Sequence, residues 1–137
     1  MINSEITVDL KTALLLKQKG FHEDTLNAYT KFGLFGESKF GKNYAPYGNK
    51  DHNSSDFHVS APTLESVGRW LETKHEIFVE IISDAATGEY SCRIRVPKTK
   101  KNDKKEILIS HKSSYGEAAV AGISKALKQI KSLKLND

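Results

Sequence analysis

The sequence predicts an α+β fold in which two helices pack on one face of a three-stranded antiparallel sheet. Residues 60–134 contain periodic segments in the order helix, strand, strand, strand, helix. The short turn ATGEY between the first two strands favours antiparallel pairing, and the strand YSCRIRV alternates apolar with polar residues, which is typical of a sheet with one solvated face. Residues 1–59 add an N-terminal helix and an irregular or hairpin region. At 137 residues, the whole chain (1–137) has the length of a single domain.

The first helix is predicted within VDLKTALLLKQKGF. Leu10 and Leu14 recur at helical spacing, and either Asp9 or Thr7 can cap the helix start. Gly20 follows as a residue suited to a left-handed C-terminal position, so the helix should end there.

The residues after this helix predict less regular structure. The run TLNAYTKFGLF is rich in β-forming residues and predicts a strand or a loose hairpin. Residues 36–59 combine Gly, Asn, Ser and Asp with one Pro and show no apolar period, which predicts a long loop.

The αβββα segment begins with SAPTLESVGRWLETKH, where Pro62 suits the first turn of a helix. EIFVEIISD, YSCRIRV and EILISH then predict three strands, the second of which exposes Arg93 and Arg95 on its polar face. Ser114 stands three residues before Glu117, a capping-box pattern that predicts the start of the last helix.

The charge of the chain is unevenly distributed. Residues 1–92 carry 9 basic and 13 acidic residues, whereas residues 93–134 carry 12 basic and 3 acidic ones, and Asp137 brings the total to +4. A basic C-terminal third is typical of an anionic partner, for which we expect nucleic acid, but lysines also keep small domains soluble and protect sheet edges. The predicted nucleic-acid-binding residues are Arg93, Arg95, Lys98, Lys100, Lys101, Lys104, Lys105 and Lys112.

The stretch GESKFGKN, residues 36–43, resembles a phosphate-binding loop, but two features argue against nucleotide hydrolysis. Asn43 stands where the loop needs Ser or Thr to reach magnesium. Pro46 and Gly48 would interrupt the helix that must follow such a loop.

The same region interleaves aromatic rings with lysines. Aromatic faces stack on unpaired bases while lysines meet phosphates, so this composition suits single-stranded nucleic acid. The interpretation we favour is that these rings are apolar anchors that hold a long loop on the domain. The candidate interaction residues of the loop are Phe40, Tyr44 and Tyr47.

Catalytic patterns are weak in this sequence. His52, Asp56 and His58 supply residue types found at zinc sites, but their spacing matches no established ligand pattern, so we expect no metal site. Cys92 falls on the inward side of its strand, where a cysteine acts as a small apolar side chain. We therefore expect neither catalytic residues nor a cofactor.

Two resemblances add to these observations. The element order of residues 60–134 is similar to the double-stranded-RNA-binding domain, and SSYGEAAVAGISKALKQI resembles the alanine-rich last helix of that family. That resemblance implies duplex phosphate contacts at the helix start, where Lys112 is the matching lysine. The blocks KTALLLKQKGF, SAPTLESVGRWLETKHEIFVEI and SSYGEAAVAGISKALKQI also resemble a group of small proteins of Bacteroidota and their phages. This second resemblance implies an intracellular accessory protein and no particular activity.

We therefore expect a non-enzymatic accessory protein that binds nucleic acid through its basic C-terminal third. One alternative is a protein-interaction module, such as a phage or mobile-element factor that docks on a host protein through residues 36–58. A third is a small metal-dependent hydrolase that uses the two histidines and Asp56. The chain has no run of 18 apolar residues, no signal-peptide pattern and a single cysteine. These features predict a cytoplasmic protein without membrane contact, in the host cytoplasm if the chain is encoded by a phage.

Overall fold

The computed structural model describes residues 2, 5–32, 39–97 and 105–130. The α+β class is confirmed, because helices and antiparallel strands occupy separate stretches of the chain. The elements are α1 (Leu10–Gln18), β1 (Thr25–Phe32), β2 (Lys39–Phe40), β3 (Ala45–Lys50), a 3-10 turn (His52–Ser54), β4 (His58–Ser60), α2 (Leu64–His75), β5 (Phe78–Ser83), β6 (Tyr90–Val96), β7 (Lys105–Lys112) and α3 (Tyr115–Leu127).

The described residues form two compact units. The N-terminal unit comprises the described part of residues 7–62, and the C-terminal unit comprises residues 2, 5 and 6 with the described part of residues 63–130. The division between residues 62 and 63 lies close to the start of the predicted αβββα segment.

The C-terminal unit has the predicted helix, strand, strand, strand, helix order. Its sheet has the strand order β5-β6-β7 with antiparallel pairing throughout. Helix α3 contacts all three strands, and α2 contacts both α3 and β5. Cys92 and Ile94 are fully buried on the helix side of β6, which confirms the predicted alternation along that strand.

A glycine sets the distance between α3 and the sheet. A Cβ atom built on Gly122 would lie only 2.3 Å from the Cys92 sulfur and 3.0 Å from a methyl carbon of Val79. Only a residue without a side chain fits between the helix axis and β6. Gly122 therefore permits the close packing on which the core of this unit rests.

The helix ends of the C-terminal unit follow from local hydrogen bonds. Thr63 caps α2 by accepting from the Ser66 amide at 3.2 Å, so Pro62 precedes the cap and the prediction that it lies in the first helical turn was wrong. Ser114 accepts from the Glu117 amide at 3.1 Å, which confirms the predicted start of α3.

The N-terminal helix also has the predicted ends. Asp9 accepts a hydrogen bond from the Thr12 amide at 2.9 Å. Gly20 adopts a left-handed φ of 89°, and the Phe21 amide donates to the Leu16 carbonyl at 3.0 Å. This arrangement is a Schellman motif, in which an apolar residue beyond the glycine closes the helix end.

Strand β1 is the centre of the N-terminal unit. It pairs antiparallel with β2, β3 and β4. The prediction that residues 36–59 form one long loop was therefore wrong for their described part, 39–59. Within this part, residues 39–40, 45–50 and 58–60 pair with β1, a long-range effect that local inspection of polar turn residues does not reveal.

A buried asparagine joins the 3-10 turn to the rest of the N-terminal unit. The Asn53 amide nitrogen donates to the Phe21 carbonyl at 2.7 Å, and its amide oxygen accepts from the Ser60 backbone at 2.8 Å. One side chain thus holds the end of α1 against the start of the chain segment that leads to α2.

We predict that Gly122→Ala destabilises the protein by about 1–3 kcal/mol, because the added methyl group overpacks the contact with the Cys92 sulfur. Cys92→Ala removes that sulfur, so the double variant should lose less stability than the sum of the two single variants. Denaturant unfolding of the wild type and the three variants measures this coupling. Strict additivity would contradict the proposed contact.

Candidate binding surface

The face of the β5–β7 sheet that points away from the helices carries both charged and apolar side chains. We call this the open sheet face and define it by the outward residues of the three strands. Strand register places Arg95 beside Phe78 on one side and Glu106 on the other. The residues of the open sheet face are Phe78, Glu80, Ile82, Ser91, Arg93, Arg95, Glu106 and Leu108.

Arg93 forms ion pairs with carboxylates on both neighbouring strands. Its guanidinium lies 3.4 Å from the Glu80 carboxylate and 3.3 Å from the Glu106 carboxylate. All three side chains are partly solvated, so each pair contributes at most about 1 kcal/mol to stability. The main consequence is electrostatic, because two negative charges surround the central positive charge of this face.

Two large apolar side chains are exposed on the same face. Phe78 is 43% exposed and Leu108 is 61% exposed. Neither was predicted as a functional residue. The signal in the sequence is that the strand EILISH has an apolar residue at its outward position, between the inward-facing Ile107 and Ile109.

The predicted nucleic-acid-binding residues lie at separate places in the described part of the sheet. Arg95 and Lys105 are near one end of β7, and Lys112 is at the other end, roughly 23 Å away for a strand of this length. Arg93 lies in the middle, between its two carboxylates. Lys98, Lys100, Lys101 and Lys104 lie outside the described residues, as does the side chain of Lys105.

A bulge interrupts the pairing near the end of β7. His111 has a left-handed φ of 64°, and the register shifts by one residue between the Cys92–Ile109 pair and the Tyr90–Lys112 pair. His111 and Lys112 line a groove of about 730 Å³ together with residues of α3. The resemblance to the double-stranded-RNA-binding domain assigned Lys112 to phosphate contacts at the start of this helix.

The aromatic residues predicted on a loop belong to strands or lie beside them. Phe40 is in β2, where it pairs with Lys31 of β1. Tyr44 immediately precedes β3 and packs edge-on against Tyr29, with ring centroids 5.9 Å apart. Tyr47 is in β3 and is 46% exposed. Each of these rings therefore has a defined position on the N-terminal unit.

Of the three residues considered as metal ligands, His52 and His58 lie close together, and Asp56 is not part of this pair. The rings of His52 and His58 have centroids 5.8 Å apart, and the Tyr47 ring packs edge-on against His58 at 5.2 Å. His52 is 1% exposed and its Nε2–H donates to the Gly48 carbonyl at 2.8 Å. Asp56 is exposed. Within residues 5–32, 39–97 and 105–130, no group of three or more His, Cys, Asp or Glu side chains is arranged to hold a metal ion.

Positive charges surround this histidine pair. The Lys17 ammonium donates to the backbone carbonyls of Ser55 and His58 at 2.8 and 2.9 Å. Burial lowers the pKa of Lys17, and Asp56 partly offsets that effect. Burial also lowers the pKa of His58, and the positive charges of His52, Lys50 and Lys17 add to the shift. The neutral imidazole is therefore the form that the folded protein favours at this position.

Cys92 is a poor nucleophile. Burial raises the pKa of its thiol to about 11, and the negative charge of Glu80 adds to this shift. Since the thiolate is the reactive form, the thiol is inert near neutral pH. The prediction that Cys92 serves as a small buried apolar side chain fits its position against α3.

Comparisons of the chain with protein-family models, with curated proteins and with solved structures find no match. In the part of the chain that the structure describes, no helix has the length and apolar content needed to cross a bilayer.

We predict that stability falls as the pH drops below about 6.5, the ordinary histidine pKa in unfolded chains. The pKa values of His58 and His75 are lowered in the folded protein, so below that pH the unfolded state binds more protons and is favoured. His58→Gln should flatten this dependence in unfolding measurements at pH 7.5 and 5.0, and His75→Gln should do so independently. If His58→Gln kept the full wild-type dependence, the electrostatic account of the His58 site would be wrong.

Proposed function

We propose that this chain is a non-catalytic binding protein that contacts a protein partner through the open sheet face. The observation that carries the proposal is the pair of exposed apolar side chains, Phe78 and Leu108, on either side of the Arg93 ion pairs. Protein interfaces are enriched in aromatic and arginine side chains beside apolar groups, and this face offers all three.

The charges of the open sheet face favour a protein partner over nucleic acid. Glu80 and Glu106 balance Arg93 and Arg95, so the face has no formal net charge. A phosphate that approached Arg93 would meet two carboxylates within 4 Å of the guanidinium. A partner surface with apolar groups and both signs of charge fits this arrangement better than a polyanion does.

The side chains that a hydrolase would use are not in a reactive state, which agrees with a non-catalytic role. The Nε2–H of His52 is used by the Gly48 carbonyl, and the Cys92 thiol is protonated near neutral pH. The proposal includes the accessory role and the cytoplasmic location expected from the sequence, in a host cell if a phage encodes the chain. A free, buried thiol suits a reducing compartment.

Affinity capture with a matched control tests the proposal. Immobilised full-length protein is incubated with nuclease-treated lysate of the source cells, and captured proteins are quantified by mass spectrometry. Leu108→Glu replaces an exposed apolar side chain of β7 with a charge, and Phe78→Ser removes the exposed ring of β5. Each should reduce capture of a specific partner on the order of tenfold or more.

Leu26→Glu is the control, because Leu26 is 54% exposed on β1 in the N-terminal unit and carries the same chemical change. Circular dichroism checks that all variants fold. Capture that is retained by Leu26→Glu and abolished in both variants of the open sheet face supports the proposal. Equal capture by the wild type and by Leu108→Glu would refute it.

A further inference from the structure

We propose that the N-terminal unit holds a site for a divalent transition-metal ion, bound by one ring nitrogen each of His52 and His58. We call it the histidine site and define it as Thr30, Tyr47, His52, His58 and Ser60. This inference goes beyond the proposed protein contact, because the histidine site belongs to the other compact unit and uses different side chains.

Strand register and ring contacts bring the members of the histidine site together. Thr30 of β1 is the register partner of His58 in β4, and Ser60 lies two residues further along β4. Because side chains alternate between the two faces of a strand, these three side chains share one face of the sheet. The Tyr47 ring packs edge-on against His58 at 5.2 Å and against His52 at 6.4 Å between ring centroids.

The separation of the two imidazole rings suits a shared metal ion. The centroids of the His52 and His58 rings lie 5.8 Å apart. An ion about 2 Å from one nitrogen of each ring lies roughly 3 Å from each centroid, so rings that share an ion have centroids roughly 5–6 Å apart. The observed separation falls within this range. Residue spacing did not predict the site, because the pairing of β4 with β1 is not visible in the spacing.

Each imidazole uses one nitrogen in a contact with the protein and leaves the other without a partner among the described residues. His52 Nε2–H donates to the Gly48 carbonyl at 2.8 Å, so Nδ1 carries a lone pair, and this atom is buried without a partner. His58 Nδ1 lies 3.3 Å from the Ser55 hydroxyl, and its Nε2 makes no hydrogen bond to a described residue. Metal-binding histidines have this arrangement, because a polar group on the second nitrogen orients the ring.

Two buried hydroxyl groups also lack a partner. Within the described residues, Thr30 Oγ1 and Ser60 Oγ make no hydrogen bond, and both lie on the sheet face of His58. Buried polar atoms are nearly always hydrogen-bonded, so several unpaired atoms in one site indicate a bound group that satisfies them. A metal ion with two imidazole ligands retains water in its other positions. Such a water can donate to the two hydroxyl oxygens.

The charges near the histidine site are mixed. The Lys17 ammonium donates to the His58 carbonyl at 2.9 Å, and the negative charges of Asp51 and Asp56 oppose the charge of Lys17. Burial lowers the pKa of His58, and neighbouring positive charges add to the shift, so its imidazole is neutral. Neutral imidazole is the form that binds metal. The lysines also repel a cation, so we expect a dissociation constant in the micromolar range.

Titration of the untagged, chelator-treated protein with Zn²⁺ near pH 7 tests the inference by calorimetry and by thermal unfolding. We expect the unfolding midpoint to rise with Zn²⁺ concentration, because an ion that binds only the folded state stabilises it. His58→Gln removes one ligand. His52→Gln removes the other and keeps a side-chain donor for the Gly48 carbonyl. Each substitution should weaken binding by about tenfold or more.

The three other histidines of the chain supply matched controls. His22 and His111 are exposed and each pairs with a carboxylate, and His75 packs edge-on against Trp70. His22→Gln, His75→Gln and His111→Gln should therefore leave the affinity for Zn²⁺ unchanged. Circular dichroism identifies any variant that fails to fold.

Nitrogen-15 NMR of the histidine rings tests the site in the wild type, without any substitution. Zn²⁺ should shift the signals of His52 Nδ1 and His58 Nε2 and leave those of the other three histidines in place. The inference fails if Zn²⁺ neither binds nor raises the unfolding midpoint, which would assign the unpaired atoms to a buried water molecule. It also fails if the shifted signals, or the loss of binding, belong to a control histidine. Leu108→Glu should leave Zn²⁺ binding intact, so the two proposals stand or fall separately.

Discussion

The close approach of α3 to the sheet at Gly122 determines the layout of the C-terminal unit. The helix can cover one face of the sheet this tightly only because Cys92 meets a residue without a side chain. Val79, Cys92 and Ile94 are thereby committed to the core. The same packing leaves the opposite face without a helix in the described part of the unit, so its outward side chains are available for contacts with other molecules. The same burial keeps the Cys92 thiol protonated, and therefore a poor nucleophile, near neutral pH.

The N-terminal unit depends on polar contacts to a greater degree. Strand β3 is largely exposed, so the burial of apolar surface contributes little to fixing its position. Elsewhere in the unit, Asn53 joins the Phe21 carbonyl to the Ser60 amide, and the Lys17 ammonium binds the carbonyls of Ser55 and His58, which lie 38 and 41 residues further along the chain. Buried polar groups that find all their partners specify one arrangement among many alternatives.

The sequence was sufficient to predict the αβββα order, because Cys92, Ile94 and the capping residue Ser114 follow local periodicities and local hydrogen-bonding rules. It was insufficient for β2, β3 and β4, whose residues show no apolar period and which form only by pairing with β1. The partners of Arg93 were also hidden, since Glu80 and Glu106 become its neighbours only through strand register. Charge counting along the chain therefore did not reveal that Arg93 and Arg95 stand beside carboxylates on the described sheet.

The bulge at His111, where φ is left-handed, affects how copies of this protein can associate through their sheet edges. Strand β7 is an edge of the described sheet, and an edge with free backbone groups invites further strands from other copies. The bulge interrupts the regular spacing of those groups, and lysines stand at both ends of the strand. The bulge and the two lysines therefore disfavour the pairing of a further strand with the β7 edge. A strand from another copy of the protein therefore pairs less readily with β7 than with a regular edge strand.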